Sequence, residues 1–180
     1  MICNSDEKGK QMLGQDQRVD RFRQSMRRLA STVCVLSCKR ARARYGITVT
    51  SVTPLSFAPV SIIVCVNKSA SISGPLKDER RFSINVLTAS QMDVSQSFSG
   101  VVPPEERFNV GGWLEQDGIP YLPNAQATLF CEMDQAISYA THDIIIGRVF
   151  DVQFDRIIAP LIYQNGTYAL AAPLMLQGTS

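Results

Sequence analysis

The chain has 180 residues, 45% of them hydrophobic, with 18 basic and 16 acidic side chains and a formal net charge of +2. That length supports one globular domain with a real core and is short for two. The near-balance of charge gives no electrostatic case for a nucleic-acid partner, and the longest apolar run, VSIIVCV at 60–66, is far too short to span a bilayer.

The first 17 residues are polar, lack the apolar stretch of a signal peptide and read as a flexible tail before a single domain at 18–180. Within 20–30, Phe22, Met26, Leu29 and Ala30 recur at helical spacing, with Asp20 placed to cap the helix start. The basic clusters at 18–28 and 38–44 read as solvated faces. From Thr32 the texture becomes β-branched and alternating: TVCVLSC (32–38), YGITVTSVT (45–53), VSIIVCV (60–66) and RFSINVL (81–87). Short helices are expected at 69–79 and at 90–100, the second capped by Ser90, turning Val94 and Phe98 inward and stopping at Gly100. Residues 101–123, rich in proline and glycine, read as a long loop. Strand texture returns at 125–140, 142–155 and 160–170, the last with the hairpin signal QNGT.

About seven strands and two or three helices, not regularly alternating, argue against a doubly wound parallel sheet. A mainly β antiparallel barrel with short helices packed outside fits better. The five cysteines are odd in number. Cys34, Cys65 and Cys131 lie in apolar runs, and Cys34 and Cys38 share a strand face with no second Cys/His pair, so no metal site is expected and reduced thiols in a cytoplasmic protein fit best. There is no dinucleotide-binding glycine fingerprint, no P-loop and no nucleophile elbow.

Three stretches carry polar groups at strand edges. GITVTSVT holds Thr48, Thr50, Ser51 and Thr53; on a strand, Thr48 and Thr50 share a face, and either an ordinary wet face or a row of hydroxyls along a planar ligand gives this pattern. VNKSASIS (66–73) crowds Asn67, Lys68, Ser69, Ser71 and Ser73 into a turn, as a capped helix or a phosphate cradle would. His142, the single histidine, opens the strand-like HDIIIGRV, as a core histidine or a residue facing a ligand.

Taken in order, FRQSMRRLASTVCVLS, GITVTSVTPLSFAP, VNKSASI, RFSINVL, SFSG with ERF, HDIIIGRV and PLIYQNGTY resemble the flavin reductase family with the FMN-binding split-barrel fold, over roughly residues 20–168. Seven matches in one order make a specific signal. The resemblance implies an antiparallel, Greek-key-like split β-barrel and an NAD(P)H:flavin oxidoreductase that feeds reduced flavin to a partner monooxygenase. It implies FMN or FAD as flavin, NADH or NADPH as hydride donor, and a homodimer. Thr48, Val49, Thr50 and Ser51 would line the flavin ring. Val66, Asn67, Lys68, Ser69, Ala70 and Ser71 would bind the cofactor too, with Asn67, Lys68, Ser69 and Ser71 taking the ribityl chain and phosphate. Asn85 would support the pocket, and His142 and Tyr168 would face the nicotinamide, His142 as the catalytic residue. The chain departs from the family pattern where Ala140 and Thr141, rather than an aspartate, precede His142, and where Asp143 follows it. Two other readings share these residues: a flavoprotein with tightly held FMN reducing another acceptor, and a non-catalytic flavin-binding barrel.

Overall fold

The computed structural model describes residues 14–173. In chain order these form α1 (Gln15–Met26), β1 (Ser31–Thr32), β2 (Cys34–Arg40), β3 (Ala43–Val49), β4 (Val52–Phe57), β5 (Val60–Asn67), α2 (Ser73–Glu79), β6 (Arg81–Val86) and α3 (Met92–Ser97). A single 3-10 turn (Arg107–Asn109) follows, then β7 (Leu114–Gln116), β8 (Ile119–Tyr121), β9 (Ala127–Tyr139), β10 (His142–Phe154), β11 (Leu161–Gln164) and β12 (Thr167–Leu170). The mainly β, antiparallel architecture expected from the sequence is present, and no helix among the described residues is long and apolar enough to cross a membrane.

The main sheet has seven strands in the order β3-β2-β6-β9-β10-β5-β4, every neighbouring pair antiparallel. Six reversals bring β3 and β4, the two edges, into the same direction. The chain passes between them through two residues, Thr50 and Ser51. Residues 43–57 are therefore one long extended run that pairs with β2 in its first half and with β5 in its second. A sheet whose two edges are consecutive pieces of one run has to curl on itself, which is the geometry of a split barrel. The sequence pattern reads 45–53 as one strand; the break at Thr50 comes from the change of partner.

Strand alternation sorts the core into two layers. Cys34, Leu36 and Cys38 of β2 face one cluster, with Phe82, Ile84, Val64, Val66 and Ile145 from the sheet and Ile72 and Leu76 from the segment around α2. Val33 and Val35 face the other, made with Leu87, Val94, Phe98, Phe108, Trp113, Leu122 and Leu161. Burial pushes the thiols of Cys34, Cys38 and Cys131 up to about 12, so they pack as small apolar groups.

Several local expectations change. The first helix starts at Gln15, so Asp20 lies inside it, Gly14 stands at its N-cap, and three residues assigned to the tail are helical. None of its residues is buried in the chain alone, although Phe22 and Met26, with Leu29 just beyond the helix, lie at core spacing. The third helix is shorter than 90–100: Gln91 precedes it, and Ser90 bonds Thr88 at 3.0 Å instead of capping. Val94 and Phe98 do point inward. The segment 101–123 carries the 3-10 turn and the β7–β8 hairpin, because Phe108, Trp113, Ile119 and Leu122 supply enough apolar surface to order it. The QNGT hairpin forms as expected, with Asn165 and Gly166 both at positive φ.

Candidate functional site

The residues singled out from the sequence fall into three places around the barrel seam. The seam itself comes first. Val49 is buried against the core, while Thr50 and Ser51 are exposed. Thr48 and Thr50 do not share a strand face as expected, since β3 ends between them. The Thr48 hydroxyl donates to the Ser95 carbonyl at 2.7 Å and its amide to the Phe98 carbonyl at 3.1 Å, which fastens the seam strand to α3. Ser51 Oγ receives the Cys65 amide at 3.3 Å and donates to the Cys65 carbonyl at 3.1 Å, replacing a ladder step where the run changes partner. Thr50 has no such tie among the described residues. It lines a cleft of about 400 Å³ between α1 and the β11–β12 hairpin and a second of about 360 Å³ with Ser31, Thr32 and Val52. Both volumes lie in the range of small-molecule sites.

The second place is the turn after β5. Val66 is in the core, and the turn above it closes on Asn67, whose Oδ1 accepts from the Ser69 amide and hydroxyl, both at 2.9 Å. Lys68 reaches across to the β9–β10 turn: its amide bonds the Thr141 carbonyl at 3.0 Å and its ammonium the Ala140 carbonyl at 2.7 Å. Ser69, Ala70 and Ser71 open instead on a cleft of about 320 Å³ with Ile47, Phe98, Ser99 and Arg107 in its wall. Seryl hydroxyls beside a guanidinium form a donor set suited to a phosphate-bearing ligand.

His142 occupies the third. It is the first residue of β10, paired with Asn67 on one side and Tyr139 on the other, and it is exposed where the sequence pattern suggested a buried strand. Its register partners Asn67 and Tyr139 are exposed as well, so this end of the sheet is uncovered. The register places His142 beside the turn that follows β5. Thr141 Oγ1 lies 2.9 Å from its Nδ1, so the imidazole is steered by the preceding threonine, not by a carboxylate. With Nδ1 engaged by Thr141, the ring nitrogen left for a ligand is Nε2.

Asp143 points the opposite way. Its side chain is buried and pairs with Lys77 of α2 at 2.5 Å. The Lys77 ammonium, by hydrogen bond first and by its charge as well, holds the carboxyl below its ordinary value against the opposing cost of burial. This pair ties α2, and so the turn ahead of it, to the strand that carries His142.

Two further residues are structural partners. Asn85 is fully buried: its amide nitrogen donates to the Val35 carbonyl at 3.1 Å and to Ser83 Oγ at 2.9 Å, and its oxygen accepts from the Leu122 amide at 2.8 Å. It holds β2, β6 and the segment after β8 together. Tyr168 is half-buried, its hydroxyl 2.9 Å from Ser95 Oγ and its ring against Tyr163 at 5.5 Å. Among the described residues no hydrogen bond or ring contact joins it to His142, which lies in a different sheet. Sequence reading missed Ser95, which receives Thr48 and neighbours Tyr168, and gave no role to Arg107 and Lys77. A serine between inward-facing Val94 and Phe98 was a signal for the first; lone basic residues in loops and short helices gave none.

Residues 26–171 match the family described as flavin reductase like domain. The chain is 41% identical over 155 residues to the reductase component of an FADH(2)-dependent resorcinol hydroxylase from Rhizobium sp. (strain MTP-10005), covering 84% of this chain and 87% of that protein. It is 32% identical over 148 residues to the FMN reductase (NADH) RutF of Pseudomonas syringae pv. syringae (strain B728a), covering 82% of this chain and 83% of the relative. Among solved structures, the styrene monooxygenase flavin reductase of Pseudomonas putida S12 superposes with a TM-score of 0.75 at 28% identity, covering 86% of this chain and 99% of that one. With the seam, the serine-lined cleft and the outward histidine all inside the matched span, this chain belongs to the flavin reductase like domain family.

Proposed function

We propose that this chain is an NAD(P)H-dependent flavin reductase, passing a hydride from reduced nicotinamide to FMN or FAD and supplying reduced flavin to a separate monooxygenase. The observation that carries the reading is the run from the polar seam at Thr50 and Ser51 to the cleft formed by Ser69, Ser71 and Arg107, in a chain 41% identical to a hydroxylase reductase component. NADH is the favoured donor, as it is in the name of the RutF relatives.

Bound flavin supplies the hydride acceptor, and the protein contributes placement and electrostatics. Thr50 and Ser51 offer polar edge groups at the seam, and the serine turn with its guanidinium neighbour holds an anionic tail. His142 presents a ring donor beside the Asn67 turn and orients the nicotinamide. Hydride transfer needs no strong general base, which suits a site offering His142 and a serine cleft with no carboxylate in its wall.

The reading includes a homodimer, and exposed apolar surface supports that part of it. Phe22 and Met26 of α1 and Leu29 just after it are exposed in the chain alone, and Phe57, Phe154, Ile157 and Ile158 form further exposed apolar surface. Free thiols at Cys34, Cys38, Cys65 and Cys131 suit the cytoplasm.

The test is the absorbance of the reduced-nicotinamide band with NADH or NADPH and with FMN, FAD or no added flavin. The expected result is rapid oxidation that depends on added flavin. No oxidation by folded protein in any combination overturns the assignment and favours a binding barrel; yellow colour that survives dialysis at one flavin per chain favours a fixed prosthetic group.

A further inference from the structure

Lys68 is the cation that the sequence offers to a bound phosphate, but the fold directs it elsewhere. Its ammonium lies 2.7 Å from the Ala140 carbonyl, and Lys68 is absent from the wall of the cleft that its neighbours Ser69, Ala70 and Ser71 line. The basic residue in that wall is Arg107, which stands in the 3-10 turn after the Pro- and Glu-containing loop. Arg107 is half-buried. Its Nε donates to the Val102 carbonyl at 3.1 Å and its Nη1 to the Gly46 carbonyl at 3.3 Å, so the guanidinium plane is fixed to both the loop and β3. Nη2 has no hydrogen-bond partner among the described residues. No carboxylate lines the cleft.

We infer that Arg107, and not Lys68, is the cation that holds the first phosphate of the flavin and sets the preference of this site for phosphorylated flavins over riboflavin. The inference rests on the flavin reductase reading. A guanidinium already held by two carbonyls loses little further freedom on binding and has paired donors free, which suits a phosphate better than a single ammonium already bonded to a carbonyl. Ser71, beside Arg107 in the same wall, supplies a hydroxyl to that anion, while the Ser69 hydroxyl is already donated to Asn67 Oδ1 at 2.9 Å. Lys68 serves as a clamp between the turn after β5 and the turn before His142.

The test compares dissociation constants for FMN and riboflavin, read from flavin fluorescence and from quenching of Trp113, the chain's single tryptophan. It uses the wild type, Arg107→Gln, Arg107→Lys and Lys68→Met. Charge-assisted bonds of this kind correspond to an affinity change of about 10- to 100-fold. Arg107→Gln is expected to weaken FMN by that factor and to change riboflavin by no more than about twofold. Arg107→Lys should keep part of the FMN preference, and Lys68→Met should keep all of it. Equal loss of both ligands in Arg107→Gln, or loss of the FMN preference in Lys68→Met, overturns the inference while leaving the flavin reductase reading standing, provided the wild type binds flavin. If Arg107→Gln melts below assay temperature, the wild type decides through ionic strength together with the other two variants: the FMN-to-riboflavin ratio falls with added salt if a cation sets it and stays level if none does. Folded wild type that binds neither flavin overturns the underlying reading itself.

Discussion

At the scale of single residues, the site divides groups free to meet a ligand from groups already occupied. His142 has no hydrogen-bond partner at Nε2 among the described residues and is steered by Thr141 at Nδ1. A single neutral hydrogen bond lost from substrate orientation lowers kcat/KM for NADH by up to about tenfold. His142→Ala is therefore expected to lower that parameter with flavin affinity unchanged, in stopped-flow reduction alongside flavin titration. An unchanged rate and unchanged nicotinamide affinity would return His142 to a purely structural place. Asn85 is the opposite case, with its amide nitrogen and oxygen both engaged in a fully buried network. Asn85→Leu leaves the Leu122 amide and the Val35 carbonyl short of a partner and should cost about 2–3 kcal/mol of stability in urea unfolding. A loss below the resolution of that measurement would show that the network relaxes around the change.

At the scale of elements, the Lys77–Asp143 pair joins α2 to β10 and thereby fixes the serine turn relative to His142. Asp143 has a lowered folded-state value, so its stabilising contribution is fully present above the ordinary carboxylate value of 3.8 and is lost as pH falls through the lowered one. Asp143→Asn should melt below the wild type at pH 7, with the two melting curves converging in acid, as differential scanning calorimetry would record. A difference that persists unchanged at low pH would assign the effect to packing. The same element shows how close the layers lie: a Cβ at Gly147 would stand 2.6 Å from the Phe82 ring, so only glycine allows β10 to cross that ring.

At the scale of the whole molecule, the exposed apolar surface asks for a partner. β10 pairs with β5 only as far as Arg148, and beyond that point it pairs with β9 alone, leaving Phe150, Val152 and Phe154 exposed next to the strand edge at Val60 and Phe57. Phe57 is 88% and Phe154 is 77% exposed, which a stable monomer rarely tolerates in one region. Two chains of 19.9 kDa should sediment together as a species of about twice that mass. Phe154→Glu should shift that species to the single-chain mass. Wild type sedimenting as a single chain at micromolar concentration would remove the homodimer from the account.

Local chemistry made much of this protein legible from its sequence. Strand alternation and turn residues located most elements, the inward Val94 and Phe98, the QNGT hairpin and the order of family motifs, because each depends on neighbours within a few positions. The placement of the polar residues was decided by the fold. Thr48 turned to Ser95, Lys68 to Ala140 and Asp143 to Lys77, and each partner lies far away in sequence, where no spacing rule reaches. The seam at Thr50 and Ser51 exists only because β3 and β4 take different partners on opposite edges of one curled sheet. The residue types available to the site were thus readable from the chain, but which hydroxyls and cations remain free for a ligand was settled by long-range pairing, since a donor already bonded to a carbonyl has less left to offer.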